Sequence, residues 1–178
     1  MNLFKRKKKE KVVEKTHEEI MDEIHEYGLK NAKNEAERRY YEAQMDKEYQ
    51  YALSSYYSIV EEIRETYTVI NNLSSFDSEA GDKLVERCIR AINIDDLIRD
   101  KRDYYDSATY EYCDPYKILC MIFEKREEYK WAASVCVASI QKGYTKDGTS
   151  GGMRGRLARI IKKGGLPLTE EMKEILNL

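Results

Sequence analysis

Glycines and arginines near the C-terminal end of the sequence have the types and spacing that could bind phosphate. The segment KDGTSGGMRGRLARIIKKGG holds most of the nine glycines in the chain, interleaved with basic residues. A phosphate-binding loop of the Walker type needs four residues between two glycines, then Lys and Ser or Thr, after a β-strand. The segment lacks this spacing, the GxGxxG spacing of dinucleotide sites and a preceding strand pattern. We therefore interpret it as the joint between two helices.

A basic helix is predicted after this joint, over residues 152–163. Gly143 is expected to end the preceding helix, and Thr149 or Ser150 to cap the new one. Three arginines are expected on the solvent side of the basic helix: Arg154, Arg156 and Arg159. They make it a candidate contact for a polyanion, such as the phosphate backbone of a nucleic acid.

The histidines and cysteines offer little further chemistry. His17 and His25 lie eight residues apart, about two helical turns, which is too far to bind one ion together. The four cysteines form no CxxC pair, so we expect free thiols and a cytoplasmic location. Neither HExxH nor a nucleophile elbow occurs. The sequence therefore predicts no catalytic residue, no cofactor and no metal site, and we expect a protein that is not an enzyme.

Helices are the elements expected to position these residues. Only two prolines and nine glycines interrupt 178 residues, which predicts an all-α fold. The strongest periodic signal predicts one long helix over residues 34–71, with an apolar stripe built mostly from tyrosines. Such a stripe is typical of a core, but a partly open stripe would offer a binding surface. The candidate binding residues on it are Tyr49, Tyr56 and Tyr67.

Charge is distributed unevenly along the chain. Residues 1–15 carry a net charge of +5 and residues 142–163 a net charge of +6, which leaves −13 for the remaining residues. We expect a disordered basic tail over residues 1–15 and a single all-helical domain over residues 16–178. No apolar run approaches the roughly 20 residues of a transmembrane helix, although the tail could attach weakly to an anionic membrane surface.

Helical hairpin elements are predicted between residues 79 and 144. One helix is expected to begin near Glu79, capped by Asp77 or Ser78, and another at Asp114, with Asp114 itself as the cap. Two apolar stretches follow, divided by a charged turn and closed by a glycine. This pattern is typical of an antiparallel helical hairpin.

The second part of this region, residues 115–144, resembles a tetratricopeptide-type (TPR-like) repeat. The large and small residues that the family places at its helix contacts correspond here to Tyr116, Leu119, Cys120, Phe123, Ala132, Cys136 and Ser139. The resemblance implies a helix-turn-helix unit of the kind that stacks into solenoids. Glu127 and Tyr144 depart from the pattern, because the family favours a small turn residue and a proline at these places.

These observations lead to three hypotheses of function. The first is a protein- or peptide-binding helical interaction module without catalytic activity, whose partner is another protein, a peptide or a second copy of the chain in a homo-oligomer. The second is a nucleic-acid-associated protein that uses the basic tail and the C-terminal helix. The third is a small inhibitor of a larger enzyme, from a mobile element, which presents its acidic middle as a polyanion-like face. We favour the first, because the tyrosine helix offers more apolar surface than two short neighbours cover.

Overall fold

A computed structural model describes residues 15–106 and 110–178 of the chain. These residues form eight α-helices and one isolated β-bridge, which confirms the all-α prediction. Residues 1–14, most of the expected basic tail, lie outside the described residues. The contacts divide the chain after Asp46 into two units, where the sequence predicted a single domain over residues 16–178.

The first unit contains two helices, α1 (His17–Lys30) and α2 (Glu35–Met45), which pack against each other. Thr16 begins α1 with a capping box, in which its side chain accepts a hydrogen bond from the first turn of the helix. Helix α1 runs through Gly28 and ends at Lys30. A Cβ at position 28 would lie 2.3 Å from the Tyr41 ring, so this glycine allows the close approach of the two helices.

The long helix predicted over residues 34–71 is interrupted at Asp46. This residue has φ −77° and ψ 84°, which lies outside the helical region. Consequently α2 ends at Met45, and a new helix, α3, spans Lys47–Leu73. Aspartate is a poor residue for a helix interior, because its side chain competes for nearby backbone groups. The apolar periodicity continues across the break and therefore gave no sign of it.

The second unit consists of six helices that follow one another in space. They are α3 (Lys47–Leu73), α4 (Glu79–Tyr105), α5 (Asp114–Lys125), α6 (Tyr129–Gln141), α7 (Gly152–Gly164) and α8 (Glu170–Leu176). From α3 to α7 each helix packs against the next, α3 also contacts α5, and α8 lies against α6 and α7. The last helix was not predicted, although Thr169 followed by two acidic residues is a helix-start signal.

The start of α4 agrees with the prediction near Glu79. Ser78 caps the helix by accepting a hydrogen bond from the Gly81 amide at 3.2 Å. The carbonyl of Phe76 lies directly against Gly81 and accepts two hydrogen bonds from Arg126, at 3.0 and 2.7 Å. This arginine therefore ties the end of α5 to the turn before α4.

The predicted hairpin is present as α5 and α6, and small residues form their contact. The Sγ atoms of Cys120 and Cys136 lie 3.2 Å apart, and the Cys120 thiol donates to the Ala132 carbonyl at 3.5 Å. Glu127 makes the turn with φ 60°, a left-handed conformation that favours glycine. Small side chains thus let the two helices approach closely, as ridge-into-groove packing requires.

Candidate functional site

A cavity of about 210 Å³ lies between α3, the end of α4 and the segments that precede α5 and follow α6. We call it the tyrosine–arginine cavity, because these two residue types supply seven of its nine lining residues. The lining residues are Tyr56, Tyr57, Val60, Arg64, Arg102, Tyr110, Tyr112, Asp114 and Tyr144. Of the four from α3, Tyr56, Val60 and Arg64 follow one edge of that helix, because positions four residues apart lie close together around a helix.

Arg102 is the buried charge of this cavity. Its residue is 7% exposed, and Asp95, seven residues earlier on α4, is fully buried. Arg102 Nη1 donates to Asp95 Oδ1 at 2.5 Å, and Nη2 donates to the Tyr144 hydroxyl at 2.7 Å. The Tyr144 hydroxyl in turn donates to Asp95 Oδ2 at 2.5 Å. These three residues hold one another in place through three mutual hydrogen bonds.

One donor of the Arg102 guanidinium is unused. Arg102 Nε is buried and has no hydrogen-bond partner among the described residues. The Tyr110 ring lies 4.7 Å from the guanidinium carbon and covers one of its faces. Arg99 Nε is also without a partner, but Arg99 does not line the cavity. Leaving a buried donor unpaired costs about 1–3 kcal/mol, so such groups are uncommon.

The exposed side of the cavity is formed by Arg64, Asp114 and two tyrosines. Arg64 Nε donates to Asp114 Oδ2 at 2.6 Å, and Arg64 Nη2 pairs with the same oxygen. The Tyr57 ring is 55% exposed. The Tyr112 hydroxyl accepts a hydrogen bond from Lys117 Nζ at 2.9 Å. A cation and two aromatic rings therefore meet solvent at the mouth.

Four of the five tyrosine hydroxyls of the cavity, those of Tyr56, Tyr110, Tyr112 and Tyr144, have a pKa above the ordinary value of 10. Burial raises the pKa of Tyr56, whose Oη lies 3.6 Å from Cys113 Sγ. A hydrogen bond to the Asp106 carboxylate, together with burial, raises the pKa of Tyr110 to about 12. Cys113 is also the N-cap residue of α5, where Asp114 was expected. With their raised pKa values, neither the Tyr56 nor the Tyr110 hydroxyl is a base at neutral pH.

The three tyrosines predicted to bind a partner have different surroundings. Tyr49 is 5% exposed and Tyr56 9% exposed, so the apolar stripe is not open to solvent at these two positions. The Tyr49 ring packs against Tyr105, with ring centroids 5.1 Å apart. Tyr67 is half-buried, and its hydroxyl lies 3.9 Å from Met121 Sδ. Of the three, Tyr56 lines the tyrosine–arginine cavity.

The glycine-rich joint is tied down by a buried carboxylate. Gly143 follows the end of α6 with φ 86°, as predicted. The N-cap of α7 is Gly151, so neither of the hydroxyl side chains expected there is used. Thr149 instead donates to Asp147 Oδ1 from its amide at 2.9 Å and from its hydroxyl at 2.6 Å. Asp147 itself is 1% exposed.

Arg156 was expected on the solvent side of α7, and that prediction is wrong. The residue is 7% exposed. Its Nε donates to Asp147 Oδ2 at 2.8 Å, and its Nη1 pairs with Glu124 on α5. Arg154 and Arg159 are exposed, as predicted. Helical spacing did carry a signal, because Arg156 lies three residues after Met153 and four before Ile160, both buried on α7. The ion pair itself needs Asp147, which lies outside the helix.

Most residues of the tyrosine–arginine cavity escaped the sequence analysis. Asp95 and Arg102 share a face of α4, but they stand in a segment, IDDLIRDKRDYY, whose charges occupy every face. Tyr144 was noted for its departure from the repeat pattern alone. Arg64 and Asp114 are fifty residues apart, and nothing in either local sequence connects them.

Residues 15–106 and 110–178 offer neither a group of metal ligands nor a membrane-spanning helix. No group of three or more His, Cys, Asp or Glu side chains there could hold a metal ion. No helix in those ranges combines the length and apolarity needed to cross a bilayer. All four cysteines are buried and are free thiols.

Comparison with protein-family models, curated proteins and solved structures finds no match to this chain. The tetratricopeptide resemblance therefore stays a prediction, and function is inferred from the residues of the site.

Proposed function

We propose that this protein is a protein- or peptide-binding helical module without catalytic activity, and that its partner binds over the mouth of the tyrosine–arginine cavity. The cavity itself is the observation that carries the proposal. Its volume is about 210 Å³, whereas sites for small molecules and cofactors usually measure roughly 300–1,000 Å³. A cavity of this size suits one side chain of a partner better than a cofactor.

The chemistry of the mouth supports a protein partner. Tyr57 and Tyr112 present exposed rings, and Arg64 presents an exposed guanidinium. Tyrosine and arginine are enriched at protein interfaces and among the residues that dominate binding energy. The wall formed by Arg102 and Tyr144 is already fixed by hydrogen bonds, so binding there loses little side-chain entropy.

Among the described residues that line the cavity, no side chain offers a free general base, which supports a role without catalysis. Both histidines of the chain precede the second unit, which contains the cavity. The carboxylate that lines the cavity, Asp114, is engaged by Arg64. Burial raises the pKa of the Tyr56 and Tyr144 hydroxyls, which also line the cavity. Reduced, buried thiols are in keeping with the cytoplasmic location that we propose.

Peptide selection on the purified chain tests this proposal. Random peptides displayed on phage would be selected against the full-length protein, and their affinities measured by fluorescence anisotropy. We expect the selected peptides to lose at least about tenfold in affinity for Tyr57→Ser, because an interface anchor is removed. Tyr51→Ser is the matched control, since Tyr51 is a 77% exposed tyrosine of the same helix that does not line the cavity. Equal effects of the two substitutions, or no selectable peptide, would overturn the proposal.

A nucleic-acid contact is the second candidate, and the exposed side of α7 favours it. Arg154, Arg159 and Lys162 are exposed, and in the described residues these side chains have no ion pair. Binding of this kind weakens steeply with salt. The double substitution Arg154→Glu with Arg159→Glu should abolish binding to single- and double-stranded oligonucleotides and leave the fold intact. Binding unchanged by salt or by this substitution would exclude the candidate.

A further inference from the structure

Charged groups of the tyrosine–arginine cavity favour a ligand with one negative charge. Two guanidinium groups, Arg64 and Arg102, and one carboxylate, Asp114, line it. Asp95 neutralises Arg102 from behind but does not line the cavity. The formal charges of these four groups cancel, but the Arg64 side chain at the mouth is 63% exposed and its partner Asp114 only 10% exposed, so an entering group meets the positive charge first. This exposed guanidinium favours an anion over a cation, and a phosphate dianion would place a second negative charge beside Asp114.

Unused hydrogen-bond donors point to the same kind of ligand. Arg102 Nε has no partner among the described residues. Arg64 uses Nε and Nη2 for Asp114, which leaves its Nη1 edge at the mouth. The Tyr57 hydroxyl is a third donor, since no described residue accepts from it. An oxygen acceptor would satisfy these groups, and a carboxylate offers two.

A cationic ligand does not fit, despite the five tyrosines. Aromatic cages bind cations through their ring faces, but the Tyr110 ring face is taken by the Arg102 guanidinium at 4.7 Å. A cationic ligand would also lie beside the positive charges of Arg64 and Arg102. The carboxylate that could pair with it, Asp114, is already paired with Arg64.

We propose that the tyrosine–arginine cavity binds a single carboxylate, the side chain of an aspartate or glutamate in the protein or peptide partner. This inference rests on the proposed function and names the group that the cavity recognises. The carboxylate enters past the exposed Tyr57 ring and shares Arg64 with Asp114. Its oxygens accept from the Arg64 Nη1 edge and the Tyr57 hydroxyl at the mouth, in front of the wall that holds the unpaired, buried Arg102 Nε. Specificity comes from donors that an amide or an apolar side chain leaves unsatisfied.

Substitutions in the selected peptides test this inference. Each aspartate or glutamate of a selected peptide would be changed to asparagine or glutamine, which keeps the shape and removes the charge. We expect one acidic position per peptide at which the change costs at least about tenfold in affinity. On Arg64→Gln protein the same change should cost less than about threefold, because the rim cation has been removed. Tyr57→Phe, which keeps the ring, should weaken binding by roughly fivefold through loss of the hydroxyl.

The outcomes separate this inference from the proposed function. Peptides that depend on Tyr57 but tolerate amides at every acidic position would overturn the carboxylate site and leave the proposed binding role intact. Failure to select any peptide would overturn the binding role. In that case a direct titration still tests the carboxylate site.

The direct titration uses N-acetyl-glutamate methylamide, with the glutamine analogue as the neutral control and inorganic phosphate as the dianion. The readout is the Nε–H signal of Arg102 in nitrogen-15 spectra of the full chain, identified by its absence in Arg102→Lys. A saturable shift with the glutamate compound alone supports the site. A shift with phosphate of equal or greater affinity, or no shift with any probe, overturns it.

Discussion

Arg156 and Arg159 lie on the same helix, α7. Replacement of Arg156 by methionine should destabilise the fold far more than replacement of Arg159 by methionine. Arg156 Nε is the donor to Asp147 Oδ2, and Nη1 pairs with Glu124. Methionine keeps the length and the apolar stem and removes the charge. Arg159 is exposed, so Arg159→Met is a matched control in helix propensity and side-chain volume.

The magnitude follows from what Asp147 keeps. Breaking a buried ion pair by removing one partner costs about 3–5 kcal/mol, because the other charge is left uncompensated. Asp147 Oδ1 retains two hydrogen bonds from Thr149, whereas Oδ2 loses its bond from Arg156. We therefore expect the lower end, about 3 kcal/mol, for Arg156→Met. Surface substitutions usually stay within about 0.5 kcal/mol, which is the expectation for Arg159→Met.

The pH dependence gives an independent sign. Burial raises the pKa of Asp147, but hydrogen bonds from Thr149 and Arg156 outweigh it and hold the pKa below its ordinary value of 3.8. The stability that this lowered pKa contributes is fully present above pH 3.8 and is lost as the pH falls through the folded-state pKa. The difference between wild type and Arg156→Met should therefore be largest at neutral pH and shrink in acid.

The assay is urea unfolding followed by far-ultraviolet circular dichroism at pH 7 and at pH 3. A cycle with Asp147→Asn should give a coupling energy of about 1.5–3 kcal/mol, the range of hydrogen bonds to charged groups. Equal midpoints for Arg156→Met and Arg159→Met at pH 7 would refute the buried ion pair. A difference that grows in acid would refute the account of Asp147.

Three further predictions concern the turns and the thiols. Glu127→Gly should raise the free energy of unfolding by about 1 kcal/mol, because position 127 has φ 60° and glycine takes this conformation without a Cβ penalty; a lower melting temperature would contradict this. Gly81→Ala should lower the free energy of unfolding in urea by about 1–3 kcal/mol despite alanine's better helix propensity, because its Cβ would lie 2.1 Å from the Phe76 carbonyl oxygen. An unchanged free energy of unfolding would contradict this close contact. The four cysteines are buried, so an aromatic disulfide reagent should react with them only after denaturation, and rapid labelling of the native chain would contradict their burial.

Local signals predicted α4 to α7 of the second unit well, whereas α8 was missed. Serine at the start of α4 and glycine after α6 act through backbone groups next to them, so their effect is visible in a short window of sequence. Asp46 shows the limit of this approach. Its neighbours continue the apolar period without interruption, and the competition of one short side chain for the backbone is too small a signal to predict a break.

The candidate site was predicted only in part, because its residues come from four places in the chain. Tyr56 was found through its position on the apolar stripe. Arg102 and Arg156 were not recognised as buried, since a lone arginine in a charged helix normally faces solvent. Their burial depends on Tyr144 and Asp147, which lie in another segment, and charge neutralisation over such separations leaves no periodic trace.

The segment between α6 and α7 connects the two buried arginines. Tyr144 holds Arg102 in the wall of the tyrosine–arginine cavity, and three residues later Asp147 holds Arg156 on α7. Between them, the Lys146 amide donates to the Glu111 carbonyl at 2.8 Å, beside Tyr112 of the cavity mouth. The basic helix thus anchors the segment that fixes one wall of the cavity. Its buried arginine therefore supports the wall of the cavity by position, whereas Arg154 and Arg159 are exposed to solvent.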